Sequence, residues 1–237
     1  AKLAEHLADG LGDRVQLGQI VTSIAHEADQ VTVHIEGAEP ITARRVLVTL
    51  PPWLANKMTF DPPLPGWRDE VTKRTTPGNV IKAVAVYESP WWREQGLSGQ
   101  MSADEGAVRV TFDVSDPGGP GVLMGFFEGV EAVTLAKRSE ALRERTFIDA
   151  LTEVFGPEAT APRTYVDRDW AAERFTRGSN GAHFSPGVWS VNGQLLAEPV
   201  GPIHFAGSEY AAKANGYLEG AVRSGREEAR AIARELG

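Results

Sequence analysis

The stretch Ile203–Leu218, IHFAGSEYAAKANGYL, together with the residues after it, constrains this chain more than any other. Ile203, Phe205 and Ala206 spell a short apolar strand that stops at Gly207. A loop then carries Ser208 and Glu209, and Asn215-Gly216 is expected to open a helix. From Leu218 the apolar or small residues recur at Ala221, Val222, Gly225, Ala229, Ile232, Ala233 and Leu236, a helical period. Strand, glycine loop and helix N-terminus are the parts with which an α/β fold holds a phosphate or the edge of a heterocycle. Unpaired N–H groups and the positive end of the helix dipole point at the ligand there. The same parts also serve as a plain structural connection, so the pattern alone admits both uses.

A chain of 237 residues, 42% of them hydrophobic, can bury a real core in one large or two small domains. The net charge of −8, with no basic block to offset it, argues against nucleic acid or an anionic membrane as partner. The absence of cysteine excludes disulfides, thiolate catalysis, zinc–thiolate sites and a thioether to a cofactor. No apolar run approaches membrane-spanning length, and the expected location is the cytoplasm. The start lacks a methionine and falls inside an amphipathic helix marked by Leu3, Leu7 and Leu11, so a piece of a longer protein is expected.

Val15–Leu17, Ile20–Ile24 and Val31–Ile35 read as short strands, and Arg44–Leu50 as a buried strand stopped by Pro51-Pro52. Val80–Tyr87 (VIKAVAVY) is the clearest strand, followed by strands at Ala107–Asp113 and Val122–Glu128, with a PGGPG turn between those two. Three strands joined by short turns predict an antiparallel sheet. Ser139 is placed to cap a helix running through Phe155, with Gly156-Pro157 as its stop. Arg163–Val166 reads as a further strand, and Arg168–Gly187, lacking a clear period, as a packed loop. The five histidines show no ligand spacing, and no GxSxG, P-loop or paired-carboxylate motif occurs.

FAGSE, followed after a short loop by NGYLEGAVRSGREEA, resembles the C-terminal flavin-binding signature of the flavin monoamine oxidase family. VLVTLPPWLANKMTFDPPLP and GNVIKAVAVYESPWWR resemble other segments of that family in the same order. The resemblance runs over nearly the whole chain, yet covers only about the C-terminal half of such an enzyme. It implies a mixed α/β (α+β) fold, part of the two-domain FAD-dependent amine oxidase architecture, without the N-terminal dinucleotide-binding βαβ unit. Consistent with that, no GxGxxG follows a strand anywhere in the chain. Residues 1–71 and 172–237 are expected to belong with the FAD-binding domain, and 72–171 with the substrate-binding domain.

The resemblance also implies site residues. Lys82 matches the strand lysine that holds a water against flavin N5 and assists reoxidation by oxygen; without the match it reads as a lysine on a solvated sheet face. Trp170 matches a tryptophan beside the flavin, and otherwise reads as a core or interface tryptophan. Tyr217 matches one of two aromatic rings that flank the amine, and Asn180 stands where the other ring would be. That departure leaves room for a more polar amine, such as a polyamine or an amino acid. Val21 matches an adenine-contacting backbone position and reads equally well as an ordinary core valine. Glu209, with Gly207 and Ser208, corresponds to the region around the ribityl chain and phosphates. Leu218 would meet the pyrimidine edge through its backbone, and Gly216 and Gly220 suit close approach of backbone to ligand. Ser179 stands where some members carry a flavin-linked cysteine, so FAD is expected to be non-covalent. No metal is expected.

The partners implied are an amine substrate, O2 and an N-terminal FAD-binding half; a homodimer is compatible. Two other readings remain open at this level. One is a non-catalytic binding module or split-chain subunit, and the other is a different flavin oxidase or desaturase branch.

Overall fold

The computed structural model describes residues 2–237, the side chain of Asn180 excepted. The chain opens with α1 (Lys2–Leu11), then β1 (Val21–His26), β2 (Val31–Ile35), β3 (Ile41–Ala43) and β4 (Val46–Val48). Next come α2 (Pro52–Ala55), β5 (Thr59–Asp61), α3 (Gly66–Lys73), β6 (Thr75–Gly78), β7 (Val80–Tyr87), α4 (Trp91–Glu94) and β8 (Met101–Ser102). After β9 (Val108–Asp113) and β10 (Gly121–Glu128) follow α5 (Gly129–Leu135), α6 (Glu140–Phe155), β11 (Thr164–Asp169) and β12 (Ser179–Phe184). The chain closes with α7 (Val188–Asn192), β13 (Ile203–Phe205) and α8 (Leu218–Leu236). The result is a mixed α/β fold in two compact units, one of residues up to Thr75 with Phe184–Gly237, the other Thr76–His183.

In the first unit β1, β2 and β3 form an antiparallel meander, and β5 adds to β1 in parallel, giving the order β3-β2-β1-β5. The turn between β1 and β2 closes on Glu27 N–H to Gln30 O at 2.9 Å. β13 pairs in parallel with β4, Ile203 opposite Val46 and Phe205 opposite Val48. The core joins Ile24, Val31, Val48, Val71, Leu196, Ile203, Phe205 and Tyr210.

The second unit is built on the sheet β11-β7-β10-β9-β8, every neighbour antiparallel. Period-two alternation decides its faces. Ile81, Ala83, Ala85 and Tyr87 point into a core with Leu123, Phe127, Phe147 and Leu151, while the even residues of β7 are half-buried on the other face. α6 covers the core side; its N-terminus is capped by Ser139, whose Oγ accepts the Leu142 N–H at 3.3 Å. Trp92 is fully buried, and its Nε1–H donates to Asp113 Oδ2 at 2.8 Å. β6 and β12 make a separate two-stranded ladder.

Four local expectations change. Val15–Leu17 is no strand: Val15 N–H closes a turn on Gly12 O, Gly18 turns the chain at φ +74°, and Leu17 is exposed. β1 begins later than expected and runs on to His26, because its hairpin with β2 sets its extent. The segment 168–187 is not all loop; β11 reaches Asp169 through pairing with β7, and β12 pairs with β6. Finally, α8 starts at Leu218 and not at Asn215-Gly216, since Gly216 has φ +79° and Tyr217 is extended (φ −112°, ψ 158°). No helix is long and apolar enough to cross a membrane among the described residues.

Candidate functional site

The first unit presents a glycine turn between β13 and α8. Gly207, at φ +147°, takes a conformation that side chains rarely adopt, and its N–H donates to Ser224 Oγ on α8 at 3.2 Å. Ser208 Oγ donates to Glu209 Oε2 at 2.8 Å, and the Ser208 carbonyl accepts the Gly216 N–H at 3.1 Å. Glu209 is buried, only 7% exposed, which is unusual for a carboxylate with no cationic partner among the described residues. Asn215 Nδ2 donates to the carbonyls of Glu209 (2.9 Å) and Ala211 (3.2 Å), closing the loop on itself.

Tyr217 is the N-cap of α8 and Leu218 its first residue; both side chains are exposed, at 72% and 74%. Gly220, one turn in, is buried under the loop, where a Cβ would lie 2.2 Å from Ala214 O. The loop therefore crosses directly over α8, and glycine is what admits it. Val21 begins β1 and is 39% exposed, not in the core.

The second unit presents Lys82 at the centre of β7. It lies on the half-buried face, its Cα opposite Phe126 of β10 and Arg168 of β11. Lys82 forms no ion pair among the described residues, whereas Arg168 Nη1 lies 3.1 Å from Glu173 Oε1. Trp170 follows the last residue of β11. Its N–H donates to Val80 O at 3.3 Å, and its carbonyl accepts Gly178 N–H (2.9 Å) and Thr176 Oγ1–H (3.0 Å). Trp170 is thus pinned at the strand end, just past the register position of Lys82. Gly178, at φ +151°, passes so close to β6 that a Cβ would sit 2.2 Å from Pro77 Cβ. Ser179 opens β12 next to it, and the side chain of Asn180 lies outside the described residues.

A family model for flavin containing amine oxidoreductases matches residues 1–233. The chain belongs to that family. It is 35% identical over 240 residues to the flavin-containing amine oxidase B of Sus scrofa, covering 100% of this chain and 46% of that protein. An L-amino acid dehydrogenase of Synechocystis is 35% identical over 232 residues, 98% of this chain and 49% of the relative. Among solved structures, a putrescine oxidase redesigned in its cofactor binding superposes with TM-score 0.95 at 34% identity, covering 99% of this chain and 52% of that one. Cyclohexylamine oxidase from Brevibacterium oxydans likewise matches at 34% identity, with TM-score 0.94 over 99% of this chain and 52% of its own. The chain spans about half the length of the curated relatives it matches.

The family sequence signature draws attention to Lys82, Trp170 and the turn, but not to the side chains that shape the turn. Ser224 and Asn215 carry no signal of that role in the sequence, although the Asn-Gly pair is visible there; Gly220 reads as a site of close approach to a ligand, and what approaches it is the Ala214 carbonyl. Arg68 gives no signal at all. This α3 residue is fully buried with no carboxylate partner among the described residues, and burial lowers its pKa to about 10. No group of histidines and carboxylates able to hold a metal occurs among the described residues.

Proposed function

We propose that the chain is the C-terminal portion of a flavin-dependent amine oxidase, which converts an amine to an imine with reduction of O2 to H2O2. The imine then hydrolyses to an aldehyde or keto acid. The observation that carries this reading is Lys82, half-buried mid-strand, in a chain matched by the amine oxidoreductase family model over residues 1–233.

The first unit is assigned the FAD-binding role and the second the substrate-binding role. The residues present fit one edge of the cofactor. Gly207 and Gly216 hold the turn at positive φ with no side chain to obstruct a ligand, and Glu209 is a buried carboxylate suited to ribityl hydroxyls. Backbone at Val21 and Leu218 is assigned to the adenine and pyrimidine edges. The chain holds no GxGxxG, so the glycine-rich backbone cradle for the pyrophosphate is assigned to the N-terminal half. The chain offers no cysteine for a thioether to the flavin, which supports non-covalent FAD.

Bound flavin supplies the two-electron acceptor for the carbon that bears the amine. The other roles belong to this chain. Lys82 holds a water and places a positive charge where negative charge develops on oxygen. Trp170 walls the cofactor side, while Tyr217 and Asn180 orient the amine, the amide offering both a donor and an acceptor. The protein is assigned to the cytoplasm.

The test uses the whole enzyme and the 237-residue chain side by side. Amine-dependent peroxide release by the whole enzyme, at a rate that falls with Lys82→Met, is the expected result. The isolated chain is expected to bind FAD weakly and to turn nothing over. A stoichiometric yellow complex of the isolated chain would overturn that part, and amine oxidation unaffected by Lys82→Met would overturn the role of Lys82.

A further inference from the structure

Arg68 is a buried cation that the fold holds at considerable expense. It sits in the first unit, 0% exposed, and makes no ion pair among the described residues. Asp69 beside it is engaged elsewhere, its Oδ2 2.6 Å from Lys73 Nζ. Arg68 Nη1–H donates to the carbonyls of Leu196 and, at 3.3 Å, Leu195, while Nε and Nη2 find no acceptor among the described residues. For stability alone, an apolar side chain of similar volume would serve as well or better at such a place.

What the guanidinium does have is rings. Its Cζ lies 3.6 Å from the centroid of Phe205 and 5.7 Å from that of Tyr210. The two rings are stacked, centroids 6.2 Å apart and planes 21° from parallel. Tyr210 O–H donates to Leu50 O at 2.8 Å, which ties the second ring to the segment just after β4. Phe205 is the last residue of β13 and Tyr210 ends the turn, so the two rings bracket Gly207, Ser208 and Glu209. A single planar cation thus meets both ends of the turn assigned to the cofactor.

We propose that Arg68 is a positioning residue for the flavin: it fixes the Gly207–Glu209 turn in its binding shape by stacking on Phe205 and reaching Tyr210. The inference rests on the assignment of that turn to FAD. Planarity is the property that matters. A guanidinium lies flat on a ring face while its N–H fork reaches past the ring edge, whereas an ammonium is a compact, strongly hydrated point charge that cannot stack in that way. Arg68→Lys therefore keeps the charge and loses the shape. Arg68→Met keeps the packing and loses the charge.

The experiment measures the FAD dissociation constant and Tm of the whole wild-type enzyme and of its Arg68→Lys and Arg68→Met variants. Expected is FAD affinity weakened about tenfold or more in both variants, well below their melting temperatures, with the amine KM unchanged in FAD-saturated enzyme. Arg68→Ala, supplemented with free guanidinium ion, is expected to regain affinity that an ammonium salt does not restore. Variants that lose Tm while keeping the wild-type FAD constant would overturn the inference and leave Arg68 purely structural. If a variant does not fold, Phe205→Leu, which removes the ring and leaves Arg68 in place, is expected to weaken FAD in the same way; unchanged affinity there overturns the inference. Wild-type enzyme that binds no FAD would instead refute the assignment of the turn.

Discussion

Lys82 and Arg168 face each other across the β7–β11 ladder as Cα partners, two cations side by side on one sheet face. Arg168 is neutralised by Glu173, with 3.1 Å between Nη1 and Oε1, and Lys82 has no such partner among the described residues. One ladder therefore carries an available ammonium beside a guanidinium already in use.

That difference predicts unequal consequences for the two residues. Lys82→Met in the whole enzyme is expected to slow reoxidation by oxygen by roughly 10²-fold, the size of a lost preorganised charge. Arg168→Met is expected to change it little. Stopped-flow mixing of reduced enzyme with oxygen measures both.

Two glycines of α8 separate space from propensity. Gly220→Ala drives a methyl to 2.2 Å from Ala214 O, a backbone atom, and is expected to cost about 1–3 kcal/mol or more. Gly225→Ala meets nothing within 4 Å and is expected to gain about 0.5–1 kcal/mol from helix propensity. Urea denaturation of both variants reads the opposite signs.

Ser139 caps α6 through the Leu142 N–H. Ser139→Ala is expected to cost about 1 kcal/mol, a fall in Tm of about 2–4 °C for a chain of this size. Ser139→Asp should lose nothing, and thermal melts of the pair test the cap.

Asp113 gives the protein an acid limit. Burial alone would raise its pKa, but hydrogen bonds from Arg93, Ser115 and Trp92 together outweigh burial and hold the carboxyl well below its ordinary 3.8. A carboxyl depressed on folding contributes stability that is present above its unfolded pKa and lost as pH falls through its folded one. Stability is therefore expected to decline below about pH 4, and Asp113→Asn to flatten that decline while lowering stability at neutral pH. Denaturation curves across the acid range up to neutral pH check both signs.

Where a segment's own pattern sets its structure, the sequence was sufficient. Val80–Tyr87 sets Lys82 among small and β-branched residues, and the strand forms with those bounds. Ser139 and Gly156 bracket α6 as read, because capping is a local exchange of hydrogen bonds. Leu3, Leu7 and Leu11 do lie on a helix, yet all three remain more than half exposed. The period predicts the helix and is silent on what covers it.

Other features depend on partners far along the chain. Val15–Leu17 is apolar enough for a strand, but no neighbour among the described residues pairs with it. β12 has no period of its own and exists through β6, about a hundred residues earlier. The start of α8 is not legible locally, because the same Asn-Gly pair suits both a helix entry and the turn before one. Only backbone torsions at Gly216 and Tyr217 decide between them.

The family, the lack of a GxGxxG in this chain and the prominence of Lys82 and the FAGSE turn as matched segments are all legible in the order of residues alone. These are properties of local pattern and residue identity. That Arg68, lying in a polar stretch of sequence, is buried against Phe205 and Tyr210, and that Gly220 passes beneath Ala214, emerges from the folded chain. Burial and stacking are set by which segments meet, and that meeting is a global balance of hydrophobic and steric energies that no single stretch of sequence contains.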